Sequence, residues 1–470
     1  MPSVTDVAPL ARPFALKPFR GLRYAPERVP DLAAVTSPPY DVLDAETIAT
    51  LEATEPHNIV RVILPRLIAS AEQSRDSRDS APGLDGTAHY RHAAELFHRW
   101  RAEGILVPDT EPALYVYEQR TPRKPSILGA TAGPAGAPGT PAGRGEAGSG
   151  SVLRGLLGAA ELRLPDEHVI LPHEDVLPGP VEDRLALLRA CAANLEPILL
   201  AYDGGGDASD LVEDATTAAP MMEARTQTGE SYRVWRITDP ARISAIAADL
   251  APRQALIADG HHRYATYLRL QEEIRKTGAG AGPWDSGLAL VVDQRAYPLD
   301  LTAIHRTVAG LDLDQAVARA ADDFQVDFFD TDVEAARSAL ASCRGITHGF
   351  LLTDGERWTL LRTPPGGPTA PRGRLSAAQP GHAALDTEVL HGHLLGDLLG
   401  VKDDQIDYLH DDVTAVKAAQ RGGGLAILLN PVELSTVQAV ARDGGRMPRK
   451  STSFGPKPRS GFVMRALVDG

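Results

Sequence analysis

The sequence has only two cysteines, Cys191 and Cys343, and neither has a metal-ligand spacing around it. Isolated cysteines of this kind are usually buried apolar residues of a protein in a reducing compartment. The N-terminus also lacks the uninterrupted apolar segment of a signal peptide, and no apolar run approaches the roughly 18–20 residues of a membrane span. Together these absences predict a soluble cytoplasmic protein.

Positive charge is scarce as well, with 48 basic against 62 acidic residues and a net charge of −14. An acidic surface repels the phosphate backbone of nucleic acids. We therefore expect no nucleic acid and, without an apolar span, no membrane as a partner. The oligomeric state does not follow from the sequence.

Most common catalytic and nucleotide-binding motifs are absent. The chain has no G-x-x-x-x-G-K-[ST] loop, no H-E-x-x-H and no G-x-S-x-G, and its G-x-G-x-x-G string at Gly143–Gly148 lies within a segment of almost only Ala, Gly, Pro, Ser and Thr. The glycine triplets Gly204–Gly206 and Gly422–Gly424 are loop residues without the rest of such a motif. A phosphate ligand would therefore need another kind of site.

Strand-like and helix-like segments alternate irregularly, which favours an α+β fold of mixed sheets with packed helices. Apolar runs predict strands at Asn58–Leu64, Ala113–Gln119, Gly155–Leu162, Glu196–Tyr202, Tyr232–Thr238, Gln254–Ala258, Ser286–Asp293, His348–Thr353, Arg357–Arg362 and Leu425–Asn430. Helical spacing predicts helices at Ala45–Ala53, Thr87–Glu103, Val181–Ala193, Pro240–Leu250, Leu313–Phe324, Asp332–Ser342, Asp386–Leu399 and Val432–Ala441.

A segment of almost only Ala, Gly, Pro, Ser and Thr, Ala130–Ser151, cannot bury apolar surface and is predicted to be a flexible loop. Ser70–Gly86 and Pro364–Arg374 are predicted loops too. We divide the chain into an N-terminal α+β part of the core, that loop, a part with an Asp-Gly-His-His-Arg motif, and a C-terminal α+β part with a basic loop. Their bounds are 1–129, 130–151, 152–310 and 311–470.

The motif lies in ALIADGHHRYATYLRL, where a short apolar strand meets a long helix that begins near His261. Gly260 permits positive φ, and the first helical turn presents free N–H groups that favour an anion. Cationic residues such as His262 and Arg263 are unfavourable there unless an anion offsets their charge. Asp259 can accept a proton or orient a histidine. The plainer interpretation is a polar turn in which Asp259 caps the helix.

Two proline-bounded segments add carboxylates. Tyr40 and Asp41 follow two prolines in SPPYDVLD, a rigid turn that suits a catalytic carboxylate. His173 and Glu174 stand together in LPHEDV, as an acid–base pair or a pair of metal ligands. An ordinary turn and a solvated loop remain the alternatives.

The most basic stretch is RMPRKSTSFGPKPRSGF, Arg446–Phe462. Its cationic and hydroxyl residues, Lys450, Ser451, Thr452 and Lys457 among them, indicate a phosphate or nucleotide clamp. A basic solvated loop is the alternative. The His305-Arg306 pair, by contrast, is predicted to be a surface turn after a strand, with a place in the same cleft as the alternative.

Taken together, FRGLRY, SPPYDVL, NIVRVILP, LPHEDV, IADGHHRYAT and MPRKSTSFGPK resemble the bacterial and archaeal family called domain of unknown function 1015. The helix-opening motif also resembles that of the ParB/sulfiredoxin superfamily, which includes a CTP-hydrolysing partition protein, ATP-using sulfiredoxins and kinases of free L-serine. This second resemblance implies a nucleotide-binding core in which Gly260, His262 and Arg263 hold phosphate beside Asp259 and His261. Since position 261 is His, sulfinic-acid repair is not expected.

The resulting hypothesis is a phosphotransferase that phosphorylates a small hydroxyl-bearing metabolite, with free L-serine as the nearest precedent. ATP, ADP or pyrophosphate would be the donor, with Mg²⁺ as cofactor. Asp41 or Glu174 would remove the hydroxyl proton, with Asp259, His261 and His262 as further catalytic candidates and Tyr40 and His173 against the substrate. A phosphoserine-type phosphatase and a non-catalytic nucleotide-binding regulator remain alternatives.

Overall fold

The protein is described by a computed structural model for residues 12–65, 87–123, 125–128, 150–364 and 385–467. The predicted loops at Ser70–Gly86, Ala130–Ser151 and Pro364–Arg374 fall almost entirely outside these residues. The boundaries at residues 129, 151 and 310 stay a prediction.

The strands of the described residues are numbered in chain order: β1 Leu16–Lys17, β2 Leu22–Tyr24, β3 Leu106–Pro108, β4 Leu114–Thr121, β5 Ser151–Glu161, β6 Ile170–Leu171, β7 Ala193–Asn194, β8 Ile198–Tyr202, β9 Met222–Arg225, β10 Ser231–Ile237, β11 Ala255–Asp259, β12 Ser286–Asp293, β13 Asp300–Thr302, β14 His305–Val308, β15 Gln325–Asp330, β16 Gly349–Thr353, β17 Trp358–Arg362, β18 Ile406–Leu409, β19 Leu425–Leu429, β20 Ser453–Gly455 and β21 Arg465–Ala466.

The helices are α1 Leu32–Val35, α2 Ala45–Thr54, α3 Val60–Ile63, α4 Ala88–Ala102, α5 Pro178–Cys191, α6 Asp207–Ala215, α7 Pro240–Leu250, α8 His261–Lys276, α9 Leu313–Ala320, α10 Val333–Ser342, α11 Asp386–Glu388, α12 Asp412–Gly422 and α13 Leu434–Arg442. The mixture of helices and mixed sheets confirms the predicted α+β class. In the part of the chain that is described, no helix combines the length and apolar character needed to cross a membrane.

The larger sheet has nine strands among the described residues, in the order β6-β11-β8-β12-β5-β4-β10-β9, with β1 beside β5. The pairs β6–β11 and β8–β12 are parallel and the other pairs are antiparallel. Strand β12 is buried along its whole length. Its alternate residues Leu288 and Leu290 face one apolar core, and Ala289 and Val291 face the other. Helices therefore cover both faces of this sheet.

The smaller sheet is antiparallel and has six strands in the described chain, in the order β15-β17-β16-β19-β14-β18. Cores on its two faces pack against α9 and α10 respectively. A ribbon of β13 and β20 leads from the end of the larger sheet to the basic loop. The loop therefore lies where the two sheets approach each other.

One strand prediction was wrong, and one predicted helix has a different helix type. The run Asn58–Leu64, predicted as a strand, forms the short helix α3 at Val60–Ile63. The side chain of Asn58 accepts from the N–H of Val60, the first residue of this helix, at 2.9 Å. The segment is buried, and a short apolar run buried on every side has no period that separates helix from strand. The predicted helix Asp386–Leu399 continues beyond α11 as a wider π-helix at Val389–Leu398.

Candidate functional site

The strand β11 ends at Asp259, and α8 begins two residues later at His261, as the sequence predicted. Gly260 makes the turn with φ +94°. A Cβ on this residue would lie 3.0 Å from Cγ2 of Ile198. Glycine is therefore required both for the backbone conformation and for the close packing.

Within the described part of the chain, no side chain caps the first turn of α8. The N–H of Tyr264 donates to the carbonyl of Gly260 at 2.9 Å, but no described residue accepts from the N–H of His261, His262 or Arg263. Asp259, which the plainer interpretation placed as a helix cap, binds side chains instead. These three amides are available to an anion.

Asp259 lies in a chain of alternating charges. Its Oδ2 accepts from Nη2 of Arg263 at 2.5 Å, and its Oδ1 lies 2.7 Å from Nζ of Lys457. The same Nζ also binds Asp41. Burial would raise the pKa of Asp259, but the charges of Lys457 and Arg263 outweigh burial and lower this pKa to about 2. Asp259 is therefore a carboxylate at neutral pH.

Arg263 is fixed on its other side as well. Its Nη1 donates to the carbonyl of Pro197 at 2.5 Å. The ring of Tyr40 lies below two guanidinium groups, with its centroid 4.5 Å from Cζ of Arg184 and 5.9 Å from Cζ of Arg263. Burial raises the pKa of Tyr40 to about 12, so its hydroxyl stays protonated. Tyr40 thereby packs the SPPYDV turn against the start of α8.

His173 and His261 form a buried pair behind the turn. Nε2 of His261 accepts from the backbone N–H of His173 at 3.3 Å, and the two ring centroids are 4.5 Å apart in an edge-on arrangement. Burial lowers the pKa of His173 to about 4 and, with the adjacent His173, lowers the pKa of His261 well below its usual value. Both imidazoles are neutral at pH 7. Their burial gives them little access to a ligand.

His262 stands nearer the surface and is half-buried. Its Nε2 accepts from the backbone N–H of Leu177 at 3.1 Å, so its ring is held against the LPHEDV loop. Burial and the charge of Lys450 lower its pKa. His262 can therefore present a neutral N–H donor at the entrance to the turn.

Glu174 connects the LPHEDV loop to the basic loop. Its Oε1 accepts from the backbone N–H of Lys450 at 3.3 Å, and the carbonyl of His173 accepts from the N–H of Met447 at 2.7 Å. Burial raises the pKa of Glu174, partly offset by the Lys450 interaction. Glu174 thus has the environment of a general base more than Asp41 does, because Asp41 is held by Lys457.

The basic loop is held in place at Lys450, which has a φ of 59°. Its N–H donates to Glu174, and its carbonyl accepts from Nη2 of Arg306 at 2.9 Å. The next two residues, Ser451 and Thr452, bind inward to Thr387 and His173 at 3.0 and 3.1 Å. The Lys450 side chain is exposed at this edge.

The structure therefore brings together the four motifs that the sequence singled out. Asp41, Asp259 and Lys457 are in direct contact, and Glu174 contacts Lys450. Their roles in binding and catalysis stay predictions. Among the described residues, no group of three or more His, Cys, Asp or Glu side chains could hold a metal ion. The carboxylates nearest the turn are already bound by Lys457, so they do not form a Mg²⁺ site as arranged.

Some residues at the site were not found from sequence. Glu196 is buried, and its Oε1 accepts from the N–H of Tyr40 at 3.3 Å and from the hydroxyl of Ser460 at 2.7 Å. His410 lies within electrostatic reach of Asp41 and Lys457. It stands between β18 and α12, and a histidine at a strand–helix junction, like His261, was the available signal.

The prediction of a surface turn at His305-Arg306 was wrong. Both residues lie in β14, and Arg306 is 0% exposed. Its guanidinium donates to Nε2 of His391 at 3.1 Å and stacks over Tyr408 at 5.2 Å. The neighbouring strands cover it, which a single sequence does not reveal.

Comparison with protein families gives one match. The model described as a protein of unknown function, DUF1015, matches residues 16–132 and 144–388, which is more than half of the chain. The match covers the SPPYDV, LPHEDV and DGHHR motifs and ends before the basic loop. No curated protein matches the chain.

Several solved structures are similar at low identity. A free serine kinase variant in complex with ADP is 14% identical, with a TM-score of 0.34, over 67% of this chain and 93% of that chain. SbnI with a C-terminal truncation, from Staphylococcus aureus, is 11% identical, with a TM-score of 0.34, over 66% and 88%. A conserved hypothetical protein from Pyrococcus furiosus is 14% identical, with a TM-score of 0.33, over 67% and 96%. At these scores the likeness assigns no function, and the ParB/sulfiredoxin-like core stays a prediction.

Proposed function

The chain belongs to the DUF1015 family, and we propose that it is a phosphotransferase that acts on a small hydroxyl-bearing metabolite. The observation that carries this proposal is the meeting of separate chain segments at the start of α8. There, backbone amides that have no partner among the described residues lie beside Lys450, Lys457 and Arg263, with carboxylates in contact. Phosphoryl transfer depends chiefly on positioning and charge stabilisation, and this arrangement supplies both.

The donor's phosphate groups bind at the first turn of α8. The N–H groups of His261, His262 and Arg263 hold phosphate oxygens, and the Lys450 ammonium and the His262 ring approach from the open side. Lys457 and Arg263 do not bind the donor as free charges. Instead, they keep Asp259 ionised and the turn rigid. Gly260 allows the phosphate to approach the backbone closely.

Glu174 takes the proton from the acceptor alcohol. Its pKa is raised by burial, which brings the carboxylate closer to the range of an effective base. Asp41, the other candidate, is held by Lys457 and would first have to leave that ammonium. The resemblance of the DGHHR motif to kinases of free serine makes L-serine the first acceptor to test. No step is assigned to Mg²⁺.

The test is a panel of amino acids and alcohols, each with ATP, ADP or pyrophosphate, with the phosphate ester detected as product. Lys450→Gln is expected to weaken nucleotide binding by about tenfold, because it removes one charge-assisted hydrogen bond to the phosphate. Glu174→Gln is expected to retain binding and to lose turnover.

Lys417→Gln is the matched control, since Lys417 is exposed on α12 and has no hydrogen bond or ion pair with the described residues of the site. It should leave both readouts unchanged. Equal nucleotide affinity of Lys450→Gln and the wild-type protein would contradict the site.

A nucleotide-binding regulator without turnover is the second candidate. Lys457 pairs with Asp41 and Asp259, and Arg263 pairs with Asp259. Because these two positive charges are already matched inside the protein, the regulator is favoured. Binding of nucleotide with no ester formed from any acceptor in the panel would select this candidate.

A further inference from the structure

The basic loop carries three consecutive hydroxyl groups, those of Ser451, Thr452 and Ser453. The first two are hydrogen-bonded to residues inside the protein. Ser451 donates to the carbonyl of Pro448 at 2.6 Å and contacts Thr387 at 3.0 Å. Thr452 contacts Nε2 of His173, a residue that is 1% exposed. Neither pair is open to a ligand, so both serve to hold the loop.

The third hydroxyl is different. Oγ of Ser453 lies 3.0 Å from Nδ1 of His410, and His410 is exposed. A hydroxyl in hydrogen-bond contact with an imidazole is the arrangement of an activated nucleophile. Because this imidazole reaches solvent at the site, a phosphate-bearing molecule can approach the pair.

Ser453 is mounted on a strand, and His410 lies in the short turn between a strand and a helix. Ser453 begins β20, which pairs with β13, and its carbonyl accepts from the hydroxyl of Thr302 at 3.2 Å. His410 stands between the end of β18 and the start of α12. A nucleophile and its base keep productive geometry best when neither is on a loose segment.

The charged groups that face His410 are Lys457, Lys450, Asp41 and Asp259. Desolvation by neighbouring groups and the charges of the two lysines lower the pKa of His410, which favours a neutral imidazole that can accept a proton. The exposed Lys450 offers positive charge to a phosphoryl group that arrives at Ser453. Base and charge stabilisation are thus present together.

We propose that Ser453 is the first acceptor of the phosphoryl group and forms a phosphoserine on the protein, with His410 as the base. This proposal rests on the phosphotransferase activity proposed above. Oγ of Ser453 attacks phosphorus, the bond from phosphorus to the leaving diphosphate or phosphate oxygen breaks, and the hydroxyl proton moves to Nδ1 of His410. In the second half, the acceptor alcohol attacks the phosphoserine, Glu174 takes its proton, and Oγ recovers a proton from His410.

The experiment is to incubate the full-length protein with γ-labelled ATP, and separately with labelled pyrophosphate, without any alcohol. Intact mass and peptide mapping then locate the label, and exchange of label between ADP and ATP measures the reversible first half-reaction. The wild-type protein is expected to carry one phosphoryl group on Ser453. Ser453→Ala is expected to lose label and exchange entirely, and His410→Gln to slow labelling by about a hundredfold, within the usual range for a general base.

Two further variants keep the result interpretable. Ser453→Thr retains a hydroxyl and should retain labelling, whereas Ser342→Ala removes an exposed serine of α10 and should change nothing. Alcohol phosphorylation that proceeds without label on the protein, or at an unchanged rate in Ser453→Ala, would overturn this inference and leave the phosphotransferase standing. Absence of donor binding, label and product would overturn both.

Discussion

Lys457 is the residue on which the charges of the site depend. Its ammonium lies between Asp41 and Asp259, and 416 residues of sequence separate it from Asp41. Burial by itself would lower the pKa of this ammonium, but the two carboxylates raise it, so the charge is retained inside the protein. The cluster is thus stable only while each charge keeps its partner.

The substitution Lys457→Met is expected to destabilise the protein by about 3 kcal/mol at pH 7, because the largely buried Asp259 and the more exposed Asp41 lose their shared cation. Denaturant unfolding measures this free energy. Lys276→Met is the control, since its ion pair with Glu272 is on the surface of α8 and should matter far less. Equal effects of the two substitutions would contradict a structural role for Lys457.

The same substitution should change the response to acid. The pKa of Asp259 is lowered to about 2 in the folded protein, so its contribution to stability is present above its unfolded pKa of about 3.9. That contribution is lost as the pH falls from about 4 to about 2. In Lys457→Met the pKa of Asp259 rises toward its unfolded value, and the loss of stability over this window should become smaller.

At the scale of elements, the junction of β11 and α8 was predicted well because its signals are local. An apolar strand, a glycine that accepts positive φ and the start of a helix follow one another within a few residues of sequence. The run Asn58–Leu64 was predicted wrongly because its buried surroundings, not its own pattern, made it a helix. Local sequence therefore determines elements whose ends carry turn chemistry, and it fails for short buried runs.

Gly260→Ala tests the junction. An alanine there adopts left-handed φ at a cost of about 1–2 kcal/mol, and its Cβ crowds Ile198. Gly278→Ala is the matched control: Gly278 follows α8 with φ +83°, and a Cβ there meets nothing within 4 Å. Both variants should lower the free energy of unfolding, Gly260→Ala by more.

Only Gly260→Ala should also weaken nucleotide binding, measured by calorimetry, because the first-turn amides shift with the turn. If the two variants bind nucleotide alike, the start of α8 is not the phosphate site.

At the scale of the whole molecule, the site depends on contact between the two sheets. Arg306 belongs to the smaller sheet and donates to the carbonyl of Lys450 at 2.9 Å. Burial lowers the pKa of Arg306 to about 10, and no carboxylate contacts its guanidinium among the described residues. Arg306 therefore acts as a positioning residue that fixes the basic loop.

Arg306→Gln is expected to weaken nucleotide binding by about tenfold through displacement of Lys450, as well as to lower stability. Arg465→Gln is the control, because Arg465 is also a buried arginine whose pKa burial lowers to about 10, but it contacts Asn194 and Ser286 instead of the loop. It should lower stability and leave affinity unchanged. Parallel losses of affinity in both variants would contradict a specific role for Arg306.

The sequence by itself determined the α+β class, the strand–glycine–helix junction and the four polar motifs, because short-range patterns of hydrophobicity and turn chemistry specify such features. Only the tertiary structure decided that Lys457 pairs with Asp41 and Asp259, that Glu174 contacts Lys450, and that His410 joins them. Those contacts join segments hundreds of residues apart, and which segments meet depends on how both sheets pack their cores. Burial, which sets the pKa values of His173 and Glu174, is likewise a property of the assembled molecule.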